Sequence, residues 1–296
     1  MVEVSSRSME KTFEGKKNNS FAATFKKLIR HALLIIFCFI MAFPFLWMFL
    51  SAIKTKNEIW SFPPTLLPAV PQWGNFIDAF KAAPFGLYIF NSTFTSLIIV
   101  LIQVVNSAMM AYALTNLKFP GKKLLFGIIM TTYMMPVAAT YLPSYVILSK
   151  FNMIDTYKGI IISNAVSVFG IFLIRQAFMQ IKREMVEAAL IDGASHFRIL
   201  WQIMIPIAKS SFVTLVLMNF IGNYNNYLWP SLIIKDSSKY LVTMGLRQFF
   251  IEGGAYGIKW PQIMAASTFT IVPLLVVFFI TQKWFMSGIS DTGVKG

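Results

Sequence analysis

The chain is short of the residues from which most active sites are built. Its 296 residues include one cysteine, two histidines and 12 acidic side chains. The single thiol, Cys38, excludes an intrachain disulfide framework, and its place in an apolar run predicts a small buried hydrophobe. No spacing of Cys, His and carboxylates here would hold a metal, and no cofactor is expected. The pattern GxxxxGK[ST] is missing too, so the chain has no phosphate-cradling loop of its own. Charge is also scarce: charged residues make up 13% of the chain, against about 25% in an ordinary soluble domain.

Apolar residues fill the space that charge leaves. They make up 56% of the chain, and the mean hydropathy is +0.64. The net charge of +14 would suit a nucleic-acid binder. The basic residues, however, lie in short flanks between apolar runs rather than in one patch. That arrangement orients a protein in a lipid bilayer and argues against nucleic acid as a partner.

A crossing helix needs roughly 20 apolar residues. Runs at 32–52, 86–115, 124–149, 159–178, 208–230 and 262–285 meet or approach that length. The first is too long for a signal-peptide core and lacks a cleavage site, so it reads as an uncleaved helix. The fourth is the weakest, because its uncharged part ends at Arg175, a residue that can snorkel to the headgroups. Pro136 and Pro143 predict kinks in the third.

The fold class expected is an all-α integral membrane protein with six transmembrane helices. Most of the 26 Lys and Arg residues fall on one side if both termini are cytoplasmic. The expected organisation follows from that topology. A cytoplasmic tail of disordered composition covers 1–30, the first helix 31–52, and an extracytoplasmic Pro-rich loop 53–85. A five-helix core spans 86–285, with a cytoplasmic loop at 179–207, and a second cytoplasmic tail covers 286–296.

The acidic residues all fall outside the apolar runs, which leaves no carboxylate for a proton relay. A carrier coupled to sodium through backbone and hydroxyl oxygens stays open on this ground. Otherwise uphill transport must draw its energy from a cytoplasmic partner, and the loop 179–207 is where one could engage. In "QIKREMVEAALID" Ile181, Met185, Ala188 and Ala189 recur at helical spacing, with Lys182, Arg183 and Glu184 on another face. Asp192-Gly193 breaks that helix, and Ser195 can cap a second one that halts near Pro206. The residues alone fit two readings: a tip offering Ala188, Ala189, Leu190 and Phe197 to a protein groove, or an amphipathic helix lying on lipid.

The same residues resemble the EAA signature of permease subunits in binding-protein-dependent ABC importers. The pattern E-A-A-x3-G-x9-I-x-L-P is matched by Glu187, Ala188, Ala189, Gly193, Ile203 and Pro206, with Ile205 in place of leucine. "FPPTLLPAVPQWGNF" and "NYNNYLWPSLIIKDSSKYLVTMGL" are similar to segments of the maltose-type carbohydrate permeases. The resemblance implies a type I (MetI-like) permease of the bacterial cytoplasmic membrane, a transport subunit and not an enzyme. It implies as partners a homologous second permease, two ATPase subunits, an extracytoplasmic solute-binding protein and a carbohydrate substrate. Glu187, Ala188, Ala189, Leu190, Asp192, Gly193, Phe197 and Pro206 would then couple to the ATPase. The same architecture serving a peptide or a modified glycan is the alternative reading, followed by the ion-driven carrier.

Asn219, Asn223 and Asn226 fall at i, i+4 and i+7 in the fifth run, with Tyr224, Tyr227 and Trp229 nearby. Amides beside aromatic platforms suit a sugar, but amides also bond helices to one another in membranes. Gln103, Asn106 and Asn164 carry the same two readings.

Overall fold

The computed structural model describes the backbone at 3–254 and 259–293, and side chains at 24–252 and 259–284. The secondary structure among the described residues is helical throughout. Three helices are long and apolar enough to cross a membrane: Thr24–Ala52, Phe85–Asn116 and Trp260–Trp284. Three further pairs of helices reach that length only across a bend, which gives up to six crossings.

The first helix runs as one piece from Glu3 to Ala52. The segment expected as a disordered tail is therefore drawn as helix continuous with the span. None of the span's apolar window is buried within the chain, so Cys38 is exposed rather than a core residue. The expected C-terminal tail likewise begins inside the last helix, Val272–Gly293, and its final residues, 294–296, lie outside the described ones.

The third run bends more sharply than a proline kink. Lys122–Tyr133 and Val137–Lys150 meet at 100°, with Pro136 as the cap of the second piece. Pro143 sits inside that second helix without breaking it. The fourth run divides into Tyr157–Ser163 and Val168–Met179, bent by 43°. Thr156 and Ser167 cap the two pieces through their hydroxyls, satisfying the amides of Gly159 and Gly170.

Packing is closest where side chains are small. Gly170 lies so tightly between the second helix, Phe85–Asn116, and Lys209–Tyr224 that a Cβ there would fall 2.5 Å from Ser107 Oγ on one and 2.8 Å from Leu215 Cδ1 on the other. Small residues let membrane helices approach and gain dispersion contacts that lipid cannot offer.

The bundle has two distinguishable ends. At one, Asn91 Nδ2 donates to the carbonyls of Ser238 and Tyr240 at 3.1 and 3.0 Å. The Pro-rich loop is fastened at the same end. Glu58 closes a capping box with Thr55 and accepts the amide of Ala69 at 2.7 Å, while Asn75 Nδ2 bonds the Ala52 and Lys54 carbonyls. The backbone amides of Ala69 and Thr55 hold the Glu58 carboxyl below its usual range. At the opposite end the second helix stops at Asn116, the third starts at Lys122 and the fourth stops at Met179. The Lys209 ammonium lies over the Trp284 ring there at 5.1 Å, which brings the last helix to the same end.

Candidate functional site

That second end carries the elbow. Arg183–Ile191 forms the first short helix, and its C-terminus is closed by two crossed bonds. Gly193 N–H donates to Leu190 O at 3.1 Å and Ala194 N–H to Ala189 O at 2.9 Å. This double closure requires a left-handed residue, and Gly193 supplies it at φ +78°. A Cβ at Gly193 would meet nothing within 4 Å, so backbone conformation alone sets the preference for glycine.

Ser195 caps the second helix by accepting the Arg198 amide. From His196 to Ile207 the chain stays helical past Pro206 because Leu200–Met204 widens into a π-turn. Proline has no N–H for the carbonyl four residues back and crowds it sterically, and the wider turn absorbs that misfit. The helix then turns by 82° into Lys209–Tyr224, so the stop falls two residues beyond the proline.

One side of the elbow is anchored. Val186, Ile199, Leu200 and Met204 are buried against Tyr112, Ile174, Phe178 and Phe212. Tyr112 OH and His196 Nδ1 are 2.9 Å apart, tying the elbow to the second helix. Val186 is the buried residue of the first short helix, whereas Met185 and Ala188 are exposed, Ala188 as a tip residue would be. Ile181 and Ala189 are half-buried on the anchored side.

The other side is open and apolar. Ile191 is 86% exposed and Phe197 65%, with Leu190 and Trp201 beside them. The Phe197 and Trp201 rings stand 5.8 Å apart. Ile191 and Trp201 join Leu190 and Phe197 on this exposed apolar side, and their signal in the sequence is an apolar residue just before a glycine stop and another one turn after Phe197. Glu187 is exposed and paired with Arg183 at 3.0 Å. Asp192 ends the first helix, bonding through its amide to Ala188 O, and Pro206 is exposed on the second.

The amide stripe is only partly a stripe. Asn219 Nδ2 donates to Gln103 Oε1 at 2.8 Å and Asn223 Nδ2 to Asn219 O at 2.7 Å. Gln103 Nε2 in turn donates to Asn164 O at 2.7 Å, and Asn106 Nδ2 to Ala165 O at 3.0 Å. These bonds stitch the second, fourth and fifth runs together. Asn226 lies beyond the end of Lys209–Tyr224 and leaves the shared face. Tyr224 is 1% exposed, with its hydroxyl on Thr270 O at 2.8 Å, so it is a buried strut rather than a lining residue. Trp229 is buried as well, its indole N–H on Ser163 Oγ. Tyr227 does face open space: a cavity of about 310 Å³ that it shares with Ser231, Tyr240, Arg247, Gln248 and Glu252. The Arg247 guanidinium lies 5.2 Å from its ring centroid. Arg247 and Gln248 gave no signal in the sequence, being polar residues on a short helix after the fifth run.

Comparison with known proteins accounts for this architecture. The sn-glycerol-3-phosphate transport system permease protein UgpE of Yersinia enterocolitica is 34% identical over 268 residues, 88% of this chain and 95% of its own length. UgpE of Brucella abortus is 31% identical over 276 residues, covering 90% and 96%. Among solved structures, a chain of a bacterial ABC transporter involved in the import of the acidic polysaccharide alginate superposes with a TM-score of 0.76. That match has 23% identity and covers 87% of this chain and 95% of the other. A chain from the alginate transporter in complex with an alginate pentasaccharide-bound periplasmic protein gives 0.63 at 16% identity, covering 86% and 92%. Residues 103–291 match the family described as binding-protein-dependent transport system inner membrane component. The chain belongs to that family: it is a permease, a transport component of an ABC importer and not an enzyme.

Proposed function

We propose that this permease carries a sugar or sugar-like solute across the bacterial inner membrane, and that its elbow at 183–207 receives the work of an ATPase. On this reading the elbow end is cytoplasmic and the chain crosses six times with both termini on that side. A homologous second permease completes the path, and an extracytoplasmic solute-binding protein delivers the cargo at the other end.

The observation that carries the reading is the exposed apolar tip of the elbow, Leu190, Ile191, Phe197 and Trp201, on a rigidly anchored base. Apolar side chains clustered on a charged loop outside lipid are the mark of a protein contact. ATP binding would close the ATPase dimer, draw the two permease elbows together and rock the helices from inward-facing to outward-facing. The test is purification of this chain from its native membrane. An ATPase subunit should accompany it, and solute-loaded binding protein should stimulate ATP hydrolysis. Solute accumulation by vesicles that hold no ATPase would refute the proposal.

A second reading of the cargo has its own support, because the UgpE relatives are named for sn-glycerol-3-phosphate. A phosphorylated polyol would meet Arg247 at the outer cavity, whereas a neutral sugar would stack on Tyr227. Competition of each solute for the binding protein separates the two.

A further inference from the structure

The elbow end holds a second cavity, of about 520 Å³, to which the proposed function assigns no role. It opens between the end of the second helix, the start of the third and the end of the fourth. Its rim carries Lys122, Lys123, Arg175 and Arg183, and no carboxylate lines it. Among the described residues, one of the four cations has an acidic partner, Arg183 with the exposed Glu187. Lys122 Nζ donates to the carbonyls of Thr115 and Leu117, at 2.9 and 3.0 Å, which fixes the ammonium at the cavity wall.

Arg175 is the unusual member. Its guanidinium lies 4.0 Å from the centroid of the Phe126 ring, and its Nε is buried without a hydrogen-bond partner. Snorkelling to the headgroups is the expectation for this residue, and the buried Nε leaves one of its donors facing protein rather than water. A buried, unbonded donor beside three more cations is an incomplete site for an anion. Thr115 and Asn116 add polar groups to the wall, and the rest of it is apolar, with Leu114, Phe126, Phe178, Met179 and Ile181. An occupant that brings an anion and a hydrocarbon body together matches both surfaces.

We infer that this cavity binds the phosphate headgroup of an anionic phospholipid, with its acyl chains running along the apolar wall. Basic pockets between membrane helices hold such headgroups through charge and the bidentate geometry of arginine. Ile181 and Arg183 belong both to the cavity wall and to the base of the elbow, so the lipid braces the element that the proposed ATPase contact would move. The binding itself does not depend on the transport reading, and lipid retention is measured without ATP or solute.

The experiment uses the assembled transporter, reconstituted in nanodiscs of phosphatidylcholine and phosphatidylglycerol and then extracted in mild detergent. Native mass spectrometry counts the lipids retained. Phosphatidylglycerol should be kept over phosphatidylcholine, and Lys123→Gln and Arg175→Gln should each reduce that preference severalfold. Lys150→Gln, at the other end of the bundle, should leave it intact. Lys123 is exposed at the rim, so its variant gives the readout even if Arg175→Gln fails to assemble. Equal retention of the two lipids, or an undiminished preference in Lys123→Gln, overturns the inference. So does saturable binding of radiolabelled inorganic phosphate to a transporter that shows no lipid preference, since the site would then take a soluble anion.

Discussion

Asp155 and Lys239, 84 residues apart in sequence, meet at 3.0 Å and fasten the turn after the third run to the segment that follows the fifth. The carboxylate does more than pair. Its Oδ1 accepts the amides of Lys235 and Asp236 at 3.0 and 3.1 Å, while its own amide donates to Ile233 O at 2.8 Å. Asp155 reaches this position by adopting φ +59°, a left-handed conformation that Asp and Asn tolerate better than other side chains. The end of the bundle opposite the elbow is thus latched by one residue whose backbone and side chain act together.

The first prediction separates those two contributions. Asp155→Asn keeps an acceptor for the amides and tolerates the left-handed backbone, so it should cost little beyond the half-exposed ion pair. Asp155→Ala loses both and adds backbone strain of about 1–2 kcal/mol. Thermal unfolding in detergent should rank wild type above Asn and Asn above Ala. Equal melting of the two variants would assign the latch to charge alone.

The same residue predicts a pH dependence. Two backbone amides, then Lys239, hold the Asp155 carboxyl down at about 2, against about 3.9 in an unfolded chain. The folded value lies below the unfolded one, so the latch contributes in full above about pH 4 and is lost as pH falls toward 2. The stability gap between wild type and Asp155→Asn should close over that window. A gap that stays constant down to pH 2 would contradict the assignment.

A third prediction concerns the amide cluster. Gln103→Leu removes the acceptor for Asn219 and the donor to the Asn164 carbonyl, and such interhelical bonds average about 0.6 kcal/mol each in membranes. A double-mutant cycle of Gln103→Leu with Asn219→Leu should give a coupling of that order. Asn223 shares the Gln103 oxygen only at 3.4 Å and remains half-buried. Asn223→Ala should therefore change solute preference or transport rate while assembly and melting stay close to wild type. Identical uptake across several sugars would remove Asn223 from the path.

The elbow was legible in the sequence because its signals are local. A glycine stop and a serine cap each act within a few residues and fall where the spacing puts them, and the second helix ends just past its proline. The buried face of the first short helix is not fixed by spacing, because tertiary contacts decide it: Val186 packs on the core formed with Phe178 and Ile199, while Met185 does not. Tyr224 and Trp229 were read as platforms for a sugar from their company of asparagines. Their partners, Thr270 and Ser163, lie 46 and 66 residues away, and no local pattern announces such pairs. The 100° bend in the third run had the same cause in part. Pro136 marks the break, but its angle depends on neighbours that periodicity does not reveal.

The last prediction concerns the elbow itself. Gly193 holds φ +78° with open space where a Cβ would point, so Gly193→Asn should be well tolerated and Gly193→Ala should cost about 1 kcal/mol of local stability. Gly193→Pro is different in kind. It forces φ to about −65° and deletes the amide that closes onto Leu190. The closure would open, and the exposed tip of Ile191 and Phe197 would lose its fixed angle to the buried base. Membrane insertion and the bundle core should survive, because neither depends on that turn. Solute uptake in reconstituted vesicles should therefore fall far more than basal ATP hydrolysis, with Glu187→Ala showing the same split more weakly. Binding-protein-stimulated hydrolysis and uptake at wild-type levels in the Gly193→Pro transporter would exclude the elbow from coupling, wherever else the subunits touch.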